Sequence, residues 1–200
     1  AKLQQDLTPL FKDYPYLPAH IRSGMPTYLP VPEHQRKRPD ELVMTSFKVN
    51  VQIHSRSANC KWLTEIYHNN PAWLNTATAA RLGLKDGDLV RVTQSDANTY
   101  RTAVQTIETK LHVTEGIHPE VLAISFHMGR WAYGRYASGK AVFPERTDGE
   151  QIWWKTGSQR YGPVWDEGRG THPNWIIPNA PDPISGQWRS NDTVVSIAKV

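Results

Sequence analysis

The sequence predicts a mainly β protein, a mixed-topology barrel with short helices, long loops and an extended N-terminal arm. Three observations carry this. Several segments alternate apolar and polar residues with the period of two that a half-buried strand shows. Helical text is confined to one or two short stretches, so the βαβα alternation of a doubly wound sheet is absent. The remaining text is rich in Gly, Pro and Trp, with 15 Pro and 8 Trp in 200 residues, which suits long connections.

Residues 1–46 read as the arm. Pro9, Pro15, Pro18, Pro26, Pro30, Pro32 and Pro39 forbid a long helix or a central strand there. Tyr14, Tyr16, Leu17, Tyr28 and Leu29 favour an arm laid along another surface. Residues 47–200 read as the barrel domain, with six to seven strands. "FKVNVQIHS" sets Phe47, Val49, Val51 and Ile53 on one face and Lys48, Asn50 and Gln52 on the other, which predicts its first strand. In "NPAWLNTATAARLGLKDGDLVRVT", Asn75 or Thr76 is a helix cap, Thr76–Leu82 a two-turn helix, Gly83 its left-handed stop and Asp86-Gly87-Asp88 a turn. "LVRVTQ" and "TYRTAVQTIET" are the next strands, a hairpin with its tip at Asp96-Ala97-Asn98. "EVLAISF" reads as a strand buried on both faces, and "DTVVSIAKV" as the last strand. Val49, Val51, Ile53, Val90, Val92, Val104 and Ile124 are expected to point inward.

Composition narrows the function classes. The net charge is +4 with a pI near 9.2, and the mean hydropathy is −0.58. The one dense basic run, His34–Arg38, is offset at once by Asp40 and Glu41 and reads as a solvated loop, so no nucleic-acid partner is expected. No run of 18 apolar residues occurs, so no direct membrane span is expected. Cys60 is the sole cysteine, which excludes a disulfide framework or a cysteine-only metal site within the chain.

Three polar clusters stand at the ends of apolar segments. His54, Ser55, Arg56 and Asn59 follow the first predicted strand and suit phosphate oxygens or the edge of a heterocycle, although a plain polar corner has the same composition. His127, Met128 and Gly129 repeat the theme after "EVLAISF", with a structural histidine as the alternative for His127. "HPNWIIPNAPDPISGQ" carries Asn174, Asp182 and Gln187; Asp182 before Pro183 is held extended and suits an amino edge, or is a surface turn. No Ser/His/Asp, HExxH, Walker or GxGxxG pattern occurs in a proper context, and His112 and His118 are the nearest to a metal-spaced pair, in a segment that reads as loop.

Four segments together, "FKVNVQIHSRSAN", "NPAWLNTATAARLGLKDGDLVRVT", "EGIHPEVLAISFHMG" and "HPNWIIPNAPDPISGQWRSNDTVV", resemble the C-terminal molybdopterin-dinucleotide-binding domain of the dimethyl-sulfoxide-reductase family of molybdenum or tungsten oxidoreductases. The likeness covers about residues 43–200, and the unit N-x-x-x-A-x-x-L-G-L-x-D-G-D-x-V-x-V is its most specific part. The arm resembles the segment leading into that domain in the polysulfide, thiosulfate, tetrathionate and arsenate reductase branch. The resemblance implies a double-psi β-barrel that caps bis-molybdopterin guanine dinucleotide, with Mo or W. It implies that His54, Ser55, Arg56, Asn59, His127, Met128, Gly129, Asn174, Asp182 and Gln187 meet the dinucleotide. It also implies partners: the remaining domains of the same catalytic subunit, an iron–sulfur subunit and a membrane anchor subunit, at the periplasmic or exoplasmic face, with the cytoplasm as the alternative. The family's metal ligand and iron–sulfur cysteines lie in earlier domains, so the chain is expected to be a fragment or a split subunit without activity alone. The competing expectations are a carbohydrate- or peptide-binding β module using Trp131, Trp153, Trp154, Trp165 and Trp175 as a stacking platform, and a purely scaffolding subunit.

Overall fold

The computed structural model describes residues 28, 30–60, 63, 66–67, 69–95, 105–127, 129, 171–178, 186–188 and 190–200. Six strands close into a barrel: β1 (Leu42–Thr45), β2 (Ala72–Asn75), β3 (Leu89–Gln94), β4 (Thr106–Thr114), β5 (Val121–Ala123) and β6 (Thr193–Lys199). Their order around the barrel is β1-β5-β2-β4-β3-β6. β1 pairs with β5, and β2 with β4, in parallel; the other four pairings are antiparallel. This is the closed mixed barrel that the sequence predicts. Among the described residues, the single turn α1 (Pro32–Gln35) and α2 (Thr76–Leu82) accompany it.

The core is one cluster. Leu42, Met44, Leu74, Val90, Val92, Leu122, Ile124 and Val195 are all fully or almost fully buried. β4 alternates regularly, Ile107, Thr109 and Leu111 inward and Thr106, Glu108 and Lys110 outward, as a strand with one face on the core must.

The local grammar of α2 holds residue by residue. The Asn75 side chain accepts from the Ala77 N–H at 2.9 Å, which caps the helix. Gly83 then turns left-handed at φ 68°, a conformation a Cβ makes costly. Its neighbour Leu84 closes the helix by donating to the Ala79 carbonyl.

Other expectations are corrected. Residues 47–53 form no strand, and the first barrel strand is instead β1, upstream in text that reads as arm. Both edges of β1 are taken, by β5 and β6, so a closed barrel leaves residues 47–53 no ladder to join. Lys48 and Asn50 are exposed as expected, and the facing is inverted only at the end of the segment. Gln52 is buried, and its amide donates to the Leu63 and Tyr67 carbonyls, whereas Ile53 is 59% exposed. Val49 and Val51 are half-buried. Of the remaining inward candidates, Val90, Val92 and Ile124 are buried as expected, and Val104 lies outside the described residues. β2 goes unread in the sequence, because its four residues abut the helix cap. β4 runs past the expected end at Thr109 to Thr114, so His112 is on a strand, not in a loop. β5 is shorter than predicted, although Ile124 and Phe126 still donate to the carbonyls of Thr45 and Phe47. The hairpin tip at 96–98 and most of the arm fall outside the described residues.

The strand directions sort the connections between two ends of the barrel. β1 and β5 run parallel, β3 runs with them, and β2, β4 and β6 run against them. One end therefore gathers the segments leaving β1, β3 and β5 and those entering β2, β4 and β6. The other end carries α2, the turn into β3 and the turn between β4 and β5.

Candidate functional site

The described parts of all three polar clusters lie at the same end of the barrel. His54–Asn59 follows β1 as a short 3-10 helix, residues 125–129 follow β5, and residues 171–188 precede β6. A second 3-10 turn, Pro173–Trp175, is fixed there by Ile176 and Ile177, both fully buried. Trp188 reaches back from near β6 and donates through Nε1 to the Pro178 carbonyl at 3.0 Å.

Two of the clusters touch. The Gly129 N–H donates to Ser55 Oγ at 3.0 Å, across 74 residues of sequence. A hydroxyl that accepts in this way keeps its own O–H to donate. Gly129 is required by close approach: a Cβ added there would collide with the His172 ring. His54, beside Ser55, adopts φ 47°, a left-handed conformation that costs a non-glycine residue about 1 kcal/mol or more. His54 and Arg56 are exposed, and among the described residues no carboxylate pairs with the Arg56 guanidinium.

His127 is buried to 1% exposure, and its ring is fully used by the protein. Nε2 lies 3.0 Å from the Asn69 carbonyl and Nδ1 2.7 Å from Ser125 Oγ. A carbonyl only accepts, so Nε2 carries the proton and Nδ1 accepts from the serine. The Tyr67 ring lies against it at 5.3 Å. Burial, chiefly, pushes its pKa down to about 4, so the ring is neutral at ordinary pH. His127 is thus the structural histidine of the two readings, and it holds the loop from within.

His172, which sequence reasoning did not single out, completes the junction. Its ring packs against Phe126 at 5.4 Å, and Nδ1 accepts from the Asn174 N–H at 3.1 Å. Its pKa is lowered by burial, and further by the neighbouring charge of His54. Its side chain caps the helical turn that Pro173 opens, a role histidine does not advertise in sequence. Asn70, also unforeseen, ties the loops together. Its Nδ2 donates to the carbonyls of Ser125, His127 and Thr171 at 2.8, 3.1 and 2.9 Å.

Of the candidates, then, Ser55 and Gly129 meet directly, His54 and Arg56 share the turn of Ser55, and Asn174 is joined through His172. Gln187 is exposed on the segment leading to β6 and shares the end by topology. The backbone of Asn59 ends the first 3-10 helix. Met128 and Asp182 lie outside the described residues, as do Trp131, Trp153, Trp154 and Trp165. No group of three or more His, Cys, Asp or Glu that could hold a metal occurs among the described residues. None of the described helices is long and apolar enough to cross a membrane.

The half-buried Ser55 hydroxyl, an exposed guanidinium and exposed imidazole and amide groups at one rim form a donor set suited to phosphate oxygens. The residues present therefore fit an anionic dinucleotide. Known proteins agree. The chain is 33% identical over 107 residues to the arsenate respiratory reductase molybdopterin-containing subunit ArrA of Shewanella sp. (strain ANA-3), covering 50% of this chain and 12% of that protein. It is 28% identical over 195 residues to a selenate reductase subunit of Mesobacillus selenatarsenatis, covering 89% of this chain and 17% of that protein. The chain thus spans less than a fifth of the length of these curated relatives. Acetylene hydratase from Pelobacter acetylenicus shares the fold, with a TM-score of 0.52 and 16% identity over 80% of this chain and 18% of that one. The family model described as the Molydopterin dinucleotide binding domain matches residues 42–194, from β1 into β6, and the chain belongs to that family.

Proposed function

We propose that the loop end of the barrel holds the pterin guanine dinucleotide of a molybdenum or tungsten cofactor, as the C-terminal part of an oxyanion reductase acting on sulfur or arsenic oxyanions. The Ser55–Gly129 contact carries this reading, because it joins two polar loops, 74 residues apart, into one rim inside the family-matched region. When bound, the metal centre of that cofactor supplies the redox chemistry. The chain's own residues bind and orient. Arg56 offers two parallel N–H bonds to pyrophosphate oxygens. The Ser55 hydroxyl donates beside it. The close approach of Gly129 to His172 leaves no room for a side chain between the two loops. His127, neutral and bonded at both ring nitrogens, sets the loop's backbone and exchanges no proton at neutral pH.

The substrate class is supported by the arsenate and selenate reductase names of the relatives. Both names denote subunits, which supports assembly with the remaining domains of a catalytic subunit and, beyond it, with iron–sulfur and membrane-anchor subunits. The test is cofactor content. In the intact subunit, Arg56→Ala and Asp182→Ala should lower pterin and metal per polypeptide, with turnover per bound metal unchanged. Loss of one charged partner corresponds to a roughly ten- to hundredfold weaker hold. Full occupancy with slow turnover would place these residues in the chemistry instead, and full occupancy with normal turnover would remove them from the site.

A further inference from the structure

Asn70 immediately precedes Pro71 and β2, and is 94% buried at the loop end of the barrel, being 6% exposed. Its two amide hydrogens are shared among three backbone carbonyls, those of Ser125, His127 and Thr171. The amide's orientation follows, since a flip would set Oδ1 against three carbonyl oxygens. Its own backbone carbonyl is held from below by the Thr109 hydroxyl at 2.7 Å. Oδ1 meanwhile is buried with no partner among the described residues, an arrangement that native cores rarely keep. A residue serving only as filler has no need of it.

The acceptors belong to two segments that are not consecutive in the chain, 55 to 57 and 101 residues away. One segment runs on to Gly129, the other to Asn174. The adjacent Asn69 carbonyl receives His127 Nε2, which tightens the same junction. We infer that Asn70 is a positioning residue: its buried carboxamide holds the Gly129 loop and the Asn174 loop at the separation the dinucleotide needs. This rests on the assignment of the dinucleotide to the loop end.

Three variants of the intact, cofactor-loaded subunit test it. Asn70→Asp keeps the shape, removes both donors and sets a carboxylate against three carbonyls. Asn70→Ser keeps one donor. Thr109→Val removes the bond to Asn70's carbonyl and leaves both loops tethered, which makes it the control for stability alone. Pterin released over time and the thermal unfolding midpoint are measured for each. Asn70→Asp should release pterin about 10- to 100-fold faster than the parent. Asn70→Ser should fall between the two. Thr109→Val should lower the midpoint and release at the parent rate. The inference is overturned if release simply follows the midpoint across all variants, or if Asn70→Asp retains pterin like the parent. If Asn70→Asp does not accumulate, Asn70→Ser set against Thr109→Val makes the same decision. A parent subunit with no pterin would overturn the functional reading, and this inference with it. A loaded parent with unaffected Asn70 variants would overturn the inference alone.

Discussion

The two ends of the barrel are built on different principles. At the turn end, helix α2 and its exit are closed by short-range bonds, Asn75 to Ala77, Gly83 to Ala80, Leu84 to Ala79, and the Lys85 N–H to the Asp88 carboxylate. Longer bonds to Ile117, Pro119 and Val113 only then tie that unit to the β4–β5 side. At the loop end they span the chain. Ser55 meets Gly129 across 74 residues, Asn70 meets Thr171 across 101, Ser46 meets Asn191 across 145, and His34 meets Asp192 across 158. Helix α2, its cap and its stop are specified by a few neighbouring residues. The loop end is specified only once the barrel exists.

This contrast predicts different responses to damage. The largest effect should be acid sensitivity at the loop end. The pKa of His127 falls from the ordinary 6.5 to about 4 on folding, so between these values the unfolded chain binds the extra proton. The stability it contributes is complete above pH 6.5 and is lost as the pH falls toward 4, on the order of 3 kcal/mol in total. Denaturant midpoints from pH 7.5 to 4 should show this slope, and His127→Gln should flatten it. An unchanged slope would mean that the imidazole is hydrated and the loop end wetter than its burial implies. Next is Gly129→Ala. Its Cβ would meet His172, and overpacking of this kind costs about 2 kcal/mol. Both the midpoint and pterin retention should fall. Retention without loss would show that the two loops can part and still bind.

Gly83→Val acts at the other end. A β-branched residue at φ 68° is strained by about 1–3 kcal/mol. The midpoint should fall while pterin retention stays at the parent value, and a loss of retention would break the separation of the two ends. The smallest effect belongs to the exposed Arg91–Glu108 pair on the outside of β3 and β4, at 2.7 Å. A double-mutant cycle should give under about 1 kcal/mol. A larger coupling would reveal a network there that the geometry does not show.

The same contrast explains what the sequence disclosed. Thr76–Leu82, its Asn75 cap and its Gly83 stop were legible because each determinant lies within a few residues of the next. β3, β4 and β6 were legible from alternation or an apolar run; β3 was read to its ends, whereas β4 runs on past its expected end to Thr114. "FKVNVQIHS" misled because alternation reports only a willingness to form a strand; the partner edge decides, and β5 and β6 had already filled both edges of β1. The site followed the same rule. Ser55, Arg56 and Gly129 were visible as polar text after apolar text, and the family resemblance placed them together. Asn70 and His172 were not visible, because an asparagine or histidine before a proline looks like any loop until the carbonyls it meets, or the glycine it covers, have been brought to it.

The pairing of β1 with β6 has a consequence in time. The barrel's first strand needs its last for a neighbour, and β3 needs that same strand on its other side. During synthesis, every strand but β6 can emerge while β1 and β3 still present open edges. The ring closes only when Thr193–Lys199 has left the ribosome, and the loops that meet across the loop end acquire their fixed spacing only then. Assembly of the rim therefore waits for the last strand of the barrel. Stalled chains ending before Thr193 should be cut by protease at the β1 and β3 edges, where the finished barrel resists.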